Sequence, residues 1–348
     1  MAKEGLELKT LSQIVKPECD WSICIGAGMS FPLFPNWQEL ALQIARKCSV
    51  KIPRGFPANN RANYFTPEVI IQLVYELSGR KENFADTMSE VLYNELFRGL
   101  THDEHDLVVN CLTTQTPVAR LNWEQYLTII NRKGLSSSYK LAEYIADSIY
   151  GTQYRPPKSI LTFNAELLLP SLINAFASTK YKKYSKIINY VVEPTSIQYQ
   201  GRVPYCFCHG LVPVPNSNRT AQKNFNAKDK LVFSENEYLQ LANSAYSWQA
   251  SSFINTLQNS TVYFVGLSFT DSNLRRWLSW LHRSRFEAIK RISPRTKEST
   301  SHYWIELKPK DSIERKWIEA SVAHLGIRMI WVDSYADIVS VLKCSIKN

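Results

Sequence analysis

Apolar positions follow two rhythms along the 348 residues. Short, unbroken apolar runs at 21–25, 159–163, 187–192, 205–208, 261–265, 302–307 and 326–332 predict buried strands. Apolar residues three and four apart predict helices between them. The first holds Leu40, Leu42, Ile44 and Ala45, and others follow at 166–176, 234–243, 247–258, 274–289, 311–325 and 336–342. From 64 to 151 the pattern is mostly helical, with segments at 67–77, 84–96, 104–111, 123–130 and 139–150. Strands alternating with helices imply an α/β fold: a Rossmann-like, doubly wound, mostly parallel sheet covered on both faces, with 64–151 as an inserted helical subdomain. The Pro-, Gly-, Asn- and Arg-rich stretch 51–63 reads as a mobile loop, and polar 213–230 as an exposed one.

The strand ends carry the punctuation. Trp21–Ile25 runs directly into Gly26-Ala27-Gly28-Met29-Ser30, and Asn36 with Glu39 three residues later predicts a capped helix start. Later strands end at Asn164, at His209-Gly210, and at Gly266-Leu267-Ser268. In doubly wound sheets, ligands bind beyond the carboxyl ends of the strands. Any one of these signals is an ordinary turn or a structural histidine; four together at strand ends point to a nucleotide site.

Composition adds limits. The apolar runs are too short to cross a bilayer, and the amino terminus has acidic Glu4 and Glu7 and no apolar core, so neither a membrane span nor a secretory leader is expected. Seven scattered cysteines without CxxC spacing leave no readable disulfide framework or four-thiolate zinc site, and the expected compartment is the cytoplasm. Cys206 and Cys208 should share one face of a strand. The net charge of +10 gathers at 180–186 and from Arg275 to Lys297, where Trp277 and Trp280 interleave. A solvated helix face or a protein contact is favoured there over nucleic acid, and a basic protein also steers anionic substrates. His102 and His105 are three apart without the zinc-protease pattern, so that segment reads as a polar helix start.

Together these residues resemble the sirtuin superfamily, in particular the sirtuin-like NAD-hydrolase domains of prokaryotic antiphage defence systems. The likeness runs from Trp21 to about Leu342 and rests on Gly26–Ser30 followed by 34–37 (Phe-Pro-Asn-Trp). It continues through 161–164 (Leu-Thr-Phe-Asn), 208–210 (Cys-His-Gly), 232–238 and 266–275. The resemblance implies one NAD-binding domain over 1–348, with no zinc ribbon and no metal. NAD+ would be the substrate, its phosphates near Gly26, Ala27, Gly28 and Ser30. Asn164 would hold the nicotinamide-side ribose and a water, and His209 would be the base. Gly266 and Ser268 would meet the adenosine end, with Asp271 in support and Trp37 under the nicotinamide.

The implied function is an NAD+ glycohydrolase that depletes NAD+ in abortive infection, as a homo-oligomer with a separately encoded activator or ATPase-type partner. A non-catalytic NAD or ADP-ribose-binding module is the alternative. Protein deacylation or ADP-ribosyl transfer comes third, because the CxxC pairs of the deacylases are missing. After Asn164, Ala165 and Glu166 stand where the family has an aromatic and an aspartate.

Overall fold

Strands buried on both faces need no polar alternation, and the central strands here are of that kind. The computed structural model describes residues 4–13, 20–53, 65–79, 84–113, 119–134, 137–183, 187–193, 196, 200–215, 231–243, 247–296 and 300–346. Most of the expected loops at 51–63 and 213–230 lie outside the described residues. Eight strands form one sheet: β1 (Leu6–Glu7), β2 (Trp21–Ile25), β3 (Ile160–Thr162), β4 (Ile188–Val191), β5 (Val203–Phe207), β6 (Thr261–Val265), β7 (His302–Leu307) and β8 (Ile327–Val332). Their order is β1-β8-β7-β6-β2-β3-β5-β4, and every pairing is parallel.

All five residues of β2 are buried. Trp21, Ile23 and Ile25 join one apolar cluster and Cys24 the other; in β6, Tyr263 and Val265 separate from Val262 and Phe264 in the same way. The first cluster is completed by α1 (Trp37–Lys47), α2 (Pro67–Leu77), α3 (Phe84–Phe97), α4 (His102–Thr113), α5 (Arg120–Lys133), α6 (Ser137–Tyr150), α7 (Leu168–Tyr181) and α12 (Ile338–Ser345). The second takes side chains from α8 (Glu235–Asn243), α9 (Trp248–Asn259), α10 (Ser272–Ile292) and α11 (Ser312–Ala323). Helices therefore cover both faces, which is the doubly wound arrangement. The helical block before β3 shares its core with the sheet.

Helix ends are set by specific side chains. Asn36 accepts the Glu39 N–H at 3.0 Å while the Glu39 carboxylate accepts the Asn36 N–H at 3.2 Å, the expected capping box. Asp271 accepts the Leu274 N–H at 2.9 Å and starts α10 two residues before the apolar periodicity does. The helix expected from 166 begins only at Leu168, because Glu166 turns inward and accepts the Leu168 N–H. β1 left no trace in the pattern. Its two residues pair with Ile330 and Trp331, too short a run for any periodicity to register.

The chain leaves β2 toward β3 on one side and returns to β6 on the other, so the sheet reverses direction at β2. The turns after β2 and β6 meet there at Gly26 and Gly266, with the Met29 and Leu267 side chains packed close by. A Cβ at Gly26 would lie 2.4 Å from the Gly266 carbonyl oxygen; one at Gly266, where φ is +64°, would lie 2.7 Å from the Met29 nitrogen. Gly201 has φ of +77° with open space around it. Gly26→Ala should therefore cost about 1–3 kcal/mol through overpacking. Gly266→Ala should add the left-handed backbone penalty of about 1–2 kcal/mol, and Gly201→Ala should show that penalty alone. Urea unfolding of the three variants checks this, and equal losses would contradict the packed-turn account.

Candidate active site

The turn after β2 is a single 3-10 turn over Ala27–Met29. Its N–H groups are largely committed inside the protein. Gly26 donates to the Val265 carbonyl at 3.0 Å, Gly28 to that of Gly266 at 3.1 Å, Met29 to that of Gly26 at 3.1 Å and Ser30 to that of Ala27 at 3.1 Å. Among the described residues this leaves the Ala27 N–H as the turn's donor without a protein acceptor. The glycines thus serve first to let the two turns touch.

Beyond β3, Asn164 is anchored by its own N–H, which donates to Thr162 Oγ1 at 3.0 Å. Its side-chain Nδ2 donates to Ser30 Oγ at 3.2 Å and to Glu166 Oε1 at 3.3 Å, and the Ser30 hydroxyl donates to Glu166 Oε1 at 2.6 Å. All three side chains are buried, Asn164 being 8% exposed. Burial pushes the Glu166 carboxyl above its ordinary range, against hydrogen bonds from Ser30, Leu168 and Asn164 that pull it back. The Asn164 Oδ1 is buried and has no partner among the described residues. A buried acceptor left open is uncommon enough to need an explanation. Ala165 is buried, and its carbonyl accepts the Val212 N–H at 2.8 Å.

Beyond β5, His209 is 2% exposed and boxed by aromatic rings: Phe163 at 4.8 Å, Tyr238 at 5.2 Å and Trp37 at 5.7 Å between centroids. Its Nε2 stands 3.4 Å from Asp271 Oδ2, and the Tyr238 hydroxyl donates to that same oxygen at 3.2 Å. Burial alone would raise the Asp271 carboxyl. The neighbouring His209, the Leu274 N–H and the Tyr238 hydroxyl outweigh it and hold the carboxyl below its ordinary range. Phe269 adopts a left-handed backbone (φ +56°) in the turn after β6, its ring buried against Phe264 and Trp304.

These groups border a cavity of about 850 Å³, within the range of ligand sites. Gly26, Ala27, Gly28, Trp37, His209, Gly266, Ser268 and Asp271 all line it. Ser30 and Asn164 do not; with Glu166 they line a separate compartment of about 30 Å³. Ala27, Trp37 and Phe163 border both spaces and form the wall between them.

The large cavity carries Glu68, Glu235, Asp271 and Glu306, and among the described residues no lysine or arginine. Three basic residues of α10 are engaged elsewhere. Arg275 donates to the Ser321 carbonyl at 2.9 Å, Arg285 to that of Gln258 at 3.3 Å, and Arg283 pairs with Glu287 at 3.1 Å.

Nothing in the local sequence marks Tyr238 or Glu166 as part of this site. No periodicity could place α8 over the end of β5, or show that Glu166 faces inward. Cys206 and Cys208 are both buried in the second cluster, and burial pushes the Cys206 thiol up to about 12. His102 and His105 both approach Asp106, at 3.6 and 3.5 Å, on the surface. Among the described residues, no group of three or more His, Cys, Asp or Glu could hold a metal ion, and no helix is long and apolar enough to cross a membrane.

Residues 158–330 match the family model of the SIR2-like domain, which supports a sirtuin-like family and NAD-related activity for this chain. The match spans β3 into β8 and includes Asn164, His209, Gly266, Ser268 and Asp271; the Gly26–Ser30 turn and Trp37 precede it. Among curated proteins none matches.

The two carboxyls give stability opposite dependence on pH. Glu166, raised, binds its proton more tightly in the folded state, so its contribution falls as pH rises above about 4.3. Asp271, lowered, contributes above about pH 3.9, and that contribution is lost as pH falls through its folded value. Unfolding by urea across this range should show Glu166→Gln gaining on the wild type as pH rises. Asp271→Asn, whose amide still caps α10, should trail the wild type at neutral pH and close the gap in acid. Gaps that ignore pH would contradict the assignment.

Proposed function

We propose that the chain is an NAD+ glycohydrolase, cleaving NAD+ with water to nicotinamide, ADP-ribose and a proton. One observation carries this reading. The turns after β6 and β2, Asn164 after β3 and His209 after β5 stand at the carboxyl ends of four adjacent parallel strands, and three of the four lie within the SIR2-like match. Nicotinamide leaves NAD+ as a neutral ring from a cationic one, through a transition state with oxocarbenium character, so the protein has mainly to position and to balance charge. The open Asn164 Oδ1 suits a hydrogen from water or a ribose hydroxyl, and the compartment beside it has room for a water. His209 is the group suited to take up the proton.

The carboxylates around the large cavity favour a cationic ring. The pyrophosphate would meet the Ala27 N–H, the Ser268 and Thr270 hydroxyls and the first N–H groups of α10. The defence role, depletion of NAD+ in abortive infection, the homo-oligomer and the separately encoded ATPase-type partner belong to the same proposal and rest on the family likeness.

One observation favours the rival reading, a binding module for NAD or ADP-ribose. Asn164 borders the small space and His209 the large one, with Ala27, Trp37 and Phe163 lining both, so turnover requires one ligand to reach both spaces and simple binding does not. Nicotinamide release from NAD+ by the purified chain and by the assembly it co-purifies in decides between them. Hydrolysis predicts release that falls roughly a hundredfold or more in both Asn164→Ala and His209→Ala. Bound NAD+ that is never cleaved, in the chain or in the assembly, would establish the binding module instead.

A further inference from the structure

His209 meets two polar groups on one side of its ring. The Asp271 carboxylate divides its oxygens: Oδ1 accepts the Leu274 N–H at 2.9 Å, while Oδ2 accepts the Tyr238 hydroxyl and faces His209 Nε2 at 3.4 Å. The Tyr238 oxygen lies 3.2 Å from Nε2 and 3.4 Å from Nδ1, nearly equidistant from the two nitrogens. An ionised carboxylate can only accept, and Tyr238 has one hydrogen, already directed at Oδ2. The imidazole nitrogen facing that oxygen must therefore bring a hydrogen of its own, or two lone pairs would confront each other in a buried site.

We propose that Asp271 and Tyr238 are positioning residues that hold His209 as its Nε2–H tautomer and leave the Nδ1 lone pair as the atom that takes the proton. The tautomer follows from the contacts alone; its use in catalysis rests on the glycohydrolase reading. In that step the water oxygen bonds to the ribose anomeric carbon, the carbon–nitrogen bond breaks with its electron pair passing to the nicotinamide nitrogen, and the water proton goes to Nδ1. Asp271 stays ionised and balances the imidazolium.

The surroundings suit a fixed orientation. Trp37 from α1 and Phe163 after β3 wall the ring with uncharged aromatics. Tyr238 comes from α8 and Asp271 from the start of α10, with Glu68 of α2 acting on Tyr238 from farther off. The thiol of Cys208, next in the chain, is kept neutral by burial. Tyr238 also ties α8 to the sheet: its hydroxyl is the polar link between that helix and the end of β5.

Histidine-selective 15N labelling resolves the ring nitrogens of the six histidines, with His209→Asn to assign the signal. Neutral His209 should show a pyrrole-type Nε2 and a pyridine-type Nδ1. Asp271→Asn should scramble that preference, change the pH profile of nicotinamide release and lower kcat about ten- to a hundredfold, with KM little altered. Tyr238→Phe, which keeps the ring packing, should produce the same changes to a lesser degree, and it serves where Asp271→Asn does not fold. An Nδ1–H tautomer in the wild type, or variants that leave both ring signals and pH profile unmoved, would overturn the proposal. An Nε2–H ring in a protein that releases no nicotinamide would retain the positioning role and overturn the glycohydrolase reading.

Discussion

The Gly28 N–H reaches the Gly266 carbonyl oxygen because Gly26 and Gly266 bring no side chain of their own to the point where the two turns touch. That contact fixes the ends of β2 and β6 against each other at the point where the sheet reverses direction. The site is assembled around it. One side of the β2 turn presents Ala27 to the large cavity, the far side sends Ser30 into the buried network with Asn164 and Glu166, and the β6 turn delivers Asp271 to His209. A side chain at either glycine would separate the two turns and pull these groups out of register.

Two kinds of polar arrangement flank that contact, and their physics differ. Around Asn164 the carboxyl of Glu166 is buried with neutral donors only, so desolvation dominates and favours its protonated form. Around His209 the carboxyl of Asp271 has an imidazole partner, a hydroxyl and a helix N–H, enough to keep it ionised despite burial. The first sets three neutral donors around a buried carboxyl. The second can absorb the charge of a protonated histidine. Trp37 and Phe163, packed against His209 on one side and bordering the Asn164 compartment on the other, keep the two apart.

Much of this was legible in the residues. The strands appeared because doubly buried strands are unbroken apolar runs, and the strand-end positions of Gly26, Asn164, His209 and Gly266 followed at once. The capping box at Asn36 was readable because its two partners are three residues apart. What could not be read were the contacts across long stretches of chain. The use of the glycine N–H groups depends on Gly266, and the setting of Ser30 depends on Glu166 more than a hundred residues later. Tyr238 meets His209 only because α8 crosses the end of β5. Local spacing carries no record of such meetings, nor of the wall dividing the cavity, which comes from the packing of rings contributed by α1 and β3.

The central claim is that one dinucleotide spans these strand ends, and a crystal structure with NAD+ tests it most directly. The account predicts the pyrophosphate beside Ala27 and Ser268, with the nicotinamide end between His209 and Asn164 and the Trp37 ring displaced from the wall. A dinucleotide bound away from the ends of β2 and β6, or a cavity that stays empty at saturating NAD+, would contradict it.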